Sequence, residues 1–491
     1  LSKEVLPVMD EQRLAAIVQE VLQQLRNENQ VARPSPAPTA PAAAPAAKSG
    51  PEVGGGVFAT VDEAIAAAEK AQKELVTLGL EKREELVQAM REAALEAADR
   101  LAKQAYKETG LGRYEHKIGK NIDTARLTPG TEDIASRIIT ANKATVLIEH
   151  SPMGIAVSIT PTTNPSATII NHGIGMVAAG NACFFAPHPR SQMTSLETMR
   201  VLNEAIVKAG GPENCLVAVT EAKLDAVNEA MHHPRVRLVV ATGGAGLVKA
   251  ALSCGKRTIA GGPGNPPALV DDTADLAHAA KAILAGAVLD NNLLCIAEKV
   301  IIVQESVATP FMRQLLQLPV VELRGSDINR LTDLVVKDGH MNPDYIGRDA
   351  AVILNDLGIR ASSDVEAIVI EVDASHPLVQ LEQLMPILPV VRVGSFAQGL
   401  ALAVEVEHGN RHTAIIHSQN LERITAYGRA IRPTLLVCNA PSYAGLGVDG
   451  AGPITLTVAG PTGEGIVTAR HFTRENRVIL GQGALTVIAG D

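Results

Sequence analysis

Cys295 lies in the run Asp290-Asn291-Asn292-Leu293-Leu294-Cys295-Ile296-Ala297-Glu298-Lys299, between a helix-patterned stretch and the strand-patterned Val300-Ile301-Ile302-Val303. A thiol at such a boundary can be presented rigidly, and first-turn amides are expected to lower its pKa toward a nucleophilic thiolate. An arbitrary cysteine is more often a small buried hydrophobe. Here, however, the consecutive Asn291 and Asn292 suit a polar turn better than a core. Among the other cysteines, Cys183 sits inside an apolar strand and Cys438 closes another, so both read as packing residues. Cys254, between an alanine-rich helix and Gly255, is expected to be semi-exposed, and Cys215 lacks a distinctive polar setting.

A partner for the thiol is offered by Ile159-Thr160-Pro161-Thr162-Thr163-Asn164-Pro165-Ser166, which follows one strand and precedes a helix. The Asn164 amide can donate to an aldehyde oxygen as it gains negative charge, with the backbone N–H of Cys295 as second donor. The plainer alternative is an asparagine that only shapes the turn before proline. Val236 to Ala241 is a strand running into Thr242-Gly243-Gly244-Ala245-Gly246, with a helix expected from Leu247 to Ser253. Amides at a helix start favour phosphate, and absent side chains let a dinucleotide approach, although the full G-x-G-x-x-G fingerprint is missing. Gly261-Gly262-Pro263-Gly264-Asn265-Pro266-Pro267 reads either as a second coenzyme contact or as a rigid crossing between domains, and Pro461-Thr462-Gly463-Glu464-Gly465 has the same ambiguity. His412 and His417 are candidate neighbours of the active site or coenzyme, or else strand-packing residues. The 13 histidines include no H-E-x-x-H, and His232-His233 alone defines no site, so no catalytic metal is expected.

These residues need a scaffold, and 491 residues with 46% hydrophobic content suffice for two or more domains. Helical spacing runs from Val61 to Leu75, Arg83 to Ala105 and Ser191 to Lys208. It alternates with β-rich runs at Ala144 to Glu149, Ile155 to Ile159, Ala182 to Ala186 and Val236 to Ala241. That alternation predicts a largely parallel α/β sheet. The net charge of -9 and 2% aromatic content argue against nucleic-acid binding. No apolar run reaches the roughly 18 to 20 residues of a membrane span, and no secretory signal is expected. Five cysteines without C-x-x-C spacing fit a reducing compartment rather than a disulfide scaffold or structural zinc site.

At the N-terminus, Leu14, Ile17, Val18, Val21, Leu22 and Leu25 form one face of an amphipathic helix. A proline- and alanine-rich stretch from Pro34 leads to glycines 54 to 56 and reads as an extended spacer. The helix either docks onto another assembly, or folds back or oligomerises.

The chain resembles the aldehyde dehydrogenase superfamily, specifically the coenzyme-A-acylating members associated with bacterial microcompartments. The resemblance spans about residues 60 to 491 and rests on Thr145 to Ile155, Thr162-Thr163-Asn164-Pro165, Asp290 to Lys299, His412 to Ser418 and Pro461 to Gly465. It implies an α/β aldehyde dehydrogenase fold with a Rossmann-like cofactor domain, an α/β catalytic domain and a small β oligomerisation element. The expected division is an encapsulation helix at 1–28, a linker at 29–58, a cofactor domain at 59–264 with part of the oligomerisation element near 140–156, a catalytic domain at 265–450, and a return to the cofactor domain and oligomerisation tail at 451–491.

By resemblance, Cys295 is the nucleophile and Asn164 the oxyanion amide. NAD contacts are implied for Thr160, Pro161, Thr162, Pro187, His188, Thr242, Gly243, Gly244, Gly246 and Gly261, with Glu382 on the nicotinamide-side ribose. The implied substrates are propanal or acetaldehyde, with coenzyme A as cosubstrate. The implied partners are microcompartment shell or cargo proteins and further copies of this chain, in bacterial cytoplasm.

Two departures bear on the chemistry. Where hydrolytic relatives carry a glutamate that activates water, this chain reads Thr258-Ile259-Ala260-Gly261-Gly262. That favours thiolysis by coenzyme A over hydrolysis. Phe184-Phe185-Ala186-Pro187 also lacks the usual lysine before proline, which favours NAD over NADP. The competing readings are a non-acylating dehydrogenase releasing free acid and a non-catalytic shell-binding protein.

Overall fold

Parallel strands rich in Val, Ile and Ala build two sheets in the computed structural model, which describes residues 52–141 and 143–481. The expected N-terminal helix and most of its spacer, and the tail beyond 481, lie outside the described residues. The first eight strands are β1 (Val57–Phe58), β2 (Arg137–Ala141), β3 (Ala144–Pro152), β4 (Ile155–Thr160), β5 (Ala182–Pro187), β6 (Leu216–Val219), β7 (Val236–Thr242) and β8 (Arg257–Gly261). The first sheet has the order β1-β6-β5-β4-β7-β8. All of its pairs are parallel. β4 and β5 are buried at every position because helices cover both faces, as parallel sheets require. One of these helices, Val61–Thr77, starts at a reciprocal cap: Thr60 accepts from the Glu63 amide and Glu63 from the Thr60 amide.

The chain winds from β4 through β5 to β6 on one side, then returns to add β7 and β8 on the other. The crevice beyond the carboxyl ends of β4 and β7 is therefore a topological switch point, where open α/β sheets take their ligands.

The second sheet is also parallel and runs, in space, Val320–Leu323, Ala367–Glu371, Ile387–Val393, β10 (Val300–Gln304), β9 (Pro267–Val270), Thr413–His417 and Leu435–Cys438. Because β8 ends at Gly261 and β9 begins at Pro267, the glycine- and proline-rich stretch carries the chain from the carboxyl edge of the first sheet to the amino edge of the second. The expected crossing is thus present. Asn265 pins it by donating to the carbonyls of Val379 (3.0 Å) and Val406 (2.9 Å).

A third, antiparallel sheet joins β2, β3 and the strand Thr473–Gly481. The segment before that last strand packs back on the first sheet. Buried Asn181 accepts from the Gly154 amide (2.9 Å) and donates to the Phe472 carbonyl (2.8 Å).

Two cysteine expectations need correction. Cys438 is exposed, not packed, because Leu435–Cys438 is an edge strand whose alternate residues face outward. Cys254 is buried rather than semi-exposed, enclosed in the apolar cluster beneath β7 and the helix Ala245–Leu252. That helix also starts two residues earlier than its apolar pattern suggested, with Gly244 as its cap, so Gly246 belongs to its first turn.

Replacing Asn181 by alanine orphans a buried N–H and C=O together, and is expected to cost about 2–4 kcal/mol of stability. Denaturant unfolding of the wild type and the variant measures it.

Candidate active site

The bend before Cys295 is built from three successive left-handed residues: Asp290, Asn291 and Asn292 have φ of 52°, 56° and 66°. Such backbone costs an L-residue roughly 1–2 kcal/mol. Asp and Asn tolerate it best, because their short polar side chains bond locally. Here every one of the three side chains is anchored. Asp290 Oδ1 accepts from the Arg113 amide (2.7 Å), and its Oδ2 accepts from Lys117 (2.9 Å) and from Lys120. Asn291 accepts from Arg113 Nε (2.7 Å) and donates to the Gly347 carbonyl and Asp349. Asn292 donates to the carbonyls of Ala287 and Glu298 and accepts from Lys299 Nζ. Gly112 must be glycine: its φ is +74° and a Cβ there would lie 2.1 Å from Asp290 Oδ1.

The cations that hold this bend were not singled out from the sequence. Arg113 precedes the helix Tyr114–Leu127, and His116, Lys117 and Lys120 follow at helical spacing, so all four fall on one face. His116 Nδ1 accepts the Asp290 amide (2.9 Å). The available signal was basic residues spaced i, i+3, i+4, i+7, but a charged helix face ordinarily reads as solvated. From the other side, Leu294, Ile296 and Ala297 pack against Leu446, Ile454 and Val458. The loop is therefore held by polar contacts on one side and apolar contacts on the other.

Cys295 itself lies in a turn after the helix Leu276–Val288 and before β10, as expected. The expected depression of its pKa is not found. Burial pushes the thiol up to about 12 and Glu382 pushes in the same direction; Lys299 and the amides of Cys295 and Ile296 oppose them without prevailing. The cause is that Cys295 faces a carboxylate in a desolvated turn rather than sitting in the first turn of a helix.

Glu382 accepts from the Gly264 amide, and its carboxyl is raised by burial, partly offset by Lys299. A Cβ at Gly264 would lie 2.7 Å from the Cys295 carbonyl oxygen and 3.1 Å from His412 Cγ, so crossing, nucleophile and histidine are in close contact. His412 is neutral, lowered to about 4 by burial and then by Lys299. His417 stands at the opposite end of its strand, beside His278, so only His412 is brought to the cysteine.

Asn164 caps the helix Pro165–Ala178 at the carboxyl end of β4. Its Oδ1 accepts from Lys120, which also binds Asp290, so the amide and the cysteine loop share one network.

The residues expected to bind nucleotide gather along the carboxyl edge of the first sheet: Thr160, Pro161 and Thr162 at β4, Pro187 and His188 at β5, Thr242, Gly243 and Gly244 at β7, and Gly261 at β8. Thr160 Oγ1 and Thr162 Oγ1 are buried without an intramolecular partner, and a Cβ at Gly244 would meet nothing within 4 Å. A polar ligand with room to approach the backbone fits that edge. A cleft of about 320 Å³ lies beside it, lined by residues that include Ala245, Lys249, Gly262, Pro263 and Pro461. Behind the edge, Thr242 Oγ1 meets Thr457 Oγ1 at 2.6 Å, and Thr457 meets His172, which meets Ser158.

Within the segment that lacks a carboxylate, buried Ala260 donates its amide to Thr462 Oγ1 (3.1 Å). The loop 461–465 thus packs over the end of β8, with Pro461 in the cleft beside this edge.

A family model described as aldehyde dehydrogenase family matches residues 50–327. The chain belongs to this family. It is 43% identical to the acetaldehyde dehydrogenase (acetylating) EutE of Escherichia coli, over 87% of this chain and 92% of that protein. Among solved structures, it resembles a propionaldehyde dehydrogenase from the Clostridium phytofermentans fucose utilisation bacterial microcompartment, with a TM-score of 0.87 and 41% identity, over 88% of this chain and 100% of the other. It also resembles a Rhodopseudomonas palustris propionaldehyde dehydrogenase with bound CoA and an acylated cysteine, with a TM-score of 0.86 and 41% identity, over 88% of this chain and 99% of the other. The aldehyde dehydrogenase fold expected from the sequence is the one observed.

In this aldehyde dehydrogenase, removing the charge of Glu382 is expected to lower the Cys295 pKa and raise its thiolate fraction. Glu382→Gln should therefore speed iodoacetamide labelling of Cys295 at pH 7.5 severalfold, as read by mass spectrometry. The wild-type rate should keep rising as the pH is raised above 9.

Proposed function

We propose that the chain oxidises a short-chain aldehyde, propanal or acetaldehyde, with NAD and coenzyme A to an acyl-coenzyme A. The observation that carries this reading is Cys295, set against the crossing at Gly264, together with the absence of a carboxylate from Thr258 to Gly262.

After its thiol proton passes to solvent, the Cys295 thiolate attacks the aldehyde carbon as the C=O π pair moves to oxygen, and the oxygen that becomes negative is received by the Asn164 amide and the Cys295 backbone N–H. Thr160, Pro161, Thr162, Pro187, His188, Thr242, Gly243, Gly244, Gly246, Gly261 and Glu382 would hold NAD, which when bound supplies the hydride acceptor. The thiohemiacetal then becomes a thioester on Cys295. No carboxylate is available to activate water from Thr258 to Gly262, whereas a thiol brings its own nucleophilicity, so coenzyme A takes the acyl group. NAD rather than NADP is the preferred nucleotide. Pro187 is preceded by alanine rather than lysine, and His188 Nδ1 is occupied by the Arg190 amide (3.1 Å), so no lysine stands there to pair with a 2′-phosphate.

With propanal and NAD, NADH formation beyond one turnover should require coenzyme A, and mass spectrometry should identify propanoyl-coenzyme A. Cys295→Ala should abolish it. Rapid propanoic acid formation without coenzyme A would establish the hydrolytic reading instead, and binding to a shell without any NAD reduction the non-catalytic one.

The division of labour we propose assigns 59–264 to nucleotide binding, 265–450 to catalysis, and 451–491 to the return onto the nucleotide unit and to subunit association. Residues 1–28 would dock to microcompartment shell or cargo proteins, with 29–58 as the linker. The amphipathic spacing of Leu14 to Leu25 supports that role, as does the microcompartment source of a similar structure. Deleting residues 1–50 should leave kcat within about twofold while abolishing co-sedimentation with purified shells; retained co-sedimentation would reject the docking role.

A further inference from the structure

We propose that Lys120 is a positioning residue for the oxyanion-receiving amide of Asn164, tying that amide to the Cys295 loop through Asp290. The inference rests on the acylating reading above and deepens it.

An asparagine amide has two N–H donors and one oxygen, and its two ends can exchange by a flip. At Asn164 the flip is closed off. Lys120 Nζ donates to Oδ1, and an Nδ2 in that place would put donor against donor. One Nδ2–H is spent on Thr163 Oγ1 at 3.2 Å. The backbone is fixed as well, since the Asn164 carbonyl accepts from the Thr168 amide (3.0 Å) and hydroxyl (2.7 Å). One N–H is left over, on a group that cannot rotate away. A cation on Oδ1 also polarises the amide and strengthens the remaining donor.

The same ammonium donates to Asp290 Oδ2, in the bend that leads to the nucleophile. Nucleophile and oxyanion donor are therefore registered by a single, partly buried side chain. Lys117 provides the internal comparison, because it shares Asp290 Oδ2 at 2.9 Å and has no bond to Asn164. A purely structural role would make the two lysines equivalent, whereas a positioning role makes them differ at Asn164.

The test is a single-turnover burst of NADH with full-length enzyme, NAD and propanal, without coenzyme A, which isolates attack and hydride loss. Lys120→Met is expected to slow the burst about tenfold to a hundredfold, less than the roughly hundredfold to thousandfold loss for removing a preorganised donor outright. The KM for NAD should stay within about twofold. In an Asn164→Ala background, Lys120→Met should cost no more than Lys117→Met does, because only its contact with Asp290 is left to lose. Lys117→Met should instead slow the burst by the same factor in both backgrounds. Lys120→Arg, which keeps a cationic donor, should recover most of the rate.

Equal losses from Lys120→Met in the two backgrounds would overturn the proposal, as would a Lys117→Met effect that vanishes with Asn164. If Lys120→Met does not fold, Lys120→Gln decides the same comparison. A burst that survives Cys295→Ala would refute the acylating reading itself, a result distinct from either of these.

Discussion

The buried carboxylate of Asp290 is the constraint on which the reactive loop depends. Burial alone would raise its pKa, but Lys120 and then Lys117 overcome that, and the group is held below the usual carboxylate range. A carboxyl depressed in the folded state adds stability that is fully present above its unfolded value, near pH 4, and is lost as the pH falls through the folded one. Within the neutral range, therefore, the pairing is intact. It fixes the first of three left-handed residues, and Arg113 and Lys299 fix the other two. Without those contacts the bend would relax toward ordinary backbone and the thiol would lose its placement.

The surroundings of Cys295 disfavour charge. The thiol is pushed up to about 12, Glu298 to about 7, Lys299 is brought down to about 8 and His412 to about 4, each chiefly by burial. A neutral resting thiol is a poor target for adventitious alkylation or oxidation, since the thiolate is the reactive form. The same low polarity strengthens any hydrogen bond made to a developing oxyanion.

Much of this was legible in the sequence because it depends on local chemistry. Runs such as Ile155 to Ile159 and Val236 to Ala241 specify buried parallel strands, and Asn291-Asn292 specifies a polar turn. What escaped depends on which faces meet. Lys117 and Lys120 lie on a helix whose charged face looks solvated until the fold sets Asp290 against it. His412 and His417 occupy the two ends of one strand, so their spacing cannot tell which end faces the thiol. The Cys295 pKa was misjudged for the same reason: it is raised first by burial, which only the fold decides, and then by Glu382, remote in the chain and adjacent in space.

The end of β8 carries the argument one step further. A base that activates water must project from a position that faces the acyl group. Here the segment Thr258 to Gly262 offers no carboxylate: the Ala260 amide is taken by Thr462, and Gly261 would carry a Cβ 3.1 Å from Thr457 Cγ2. The C-terminal segment therefore fills the space with threonines. A carboxylate placed at Ile259 or Ala260, both fully enclosed, would bury an unpaired charge, which is costly. The preference for a thiol acceptor is consequently a property of packing between two distant segments, rather than of one missing side chain.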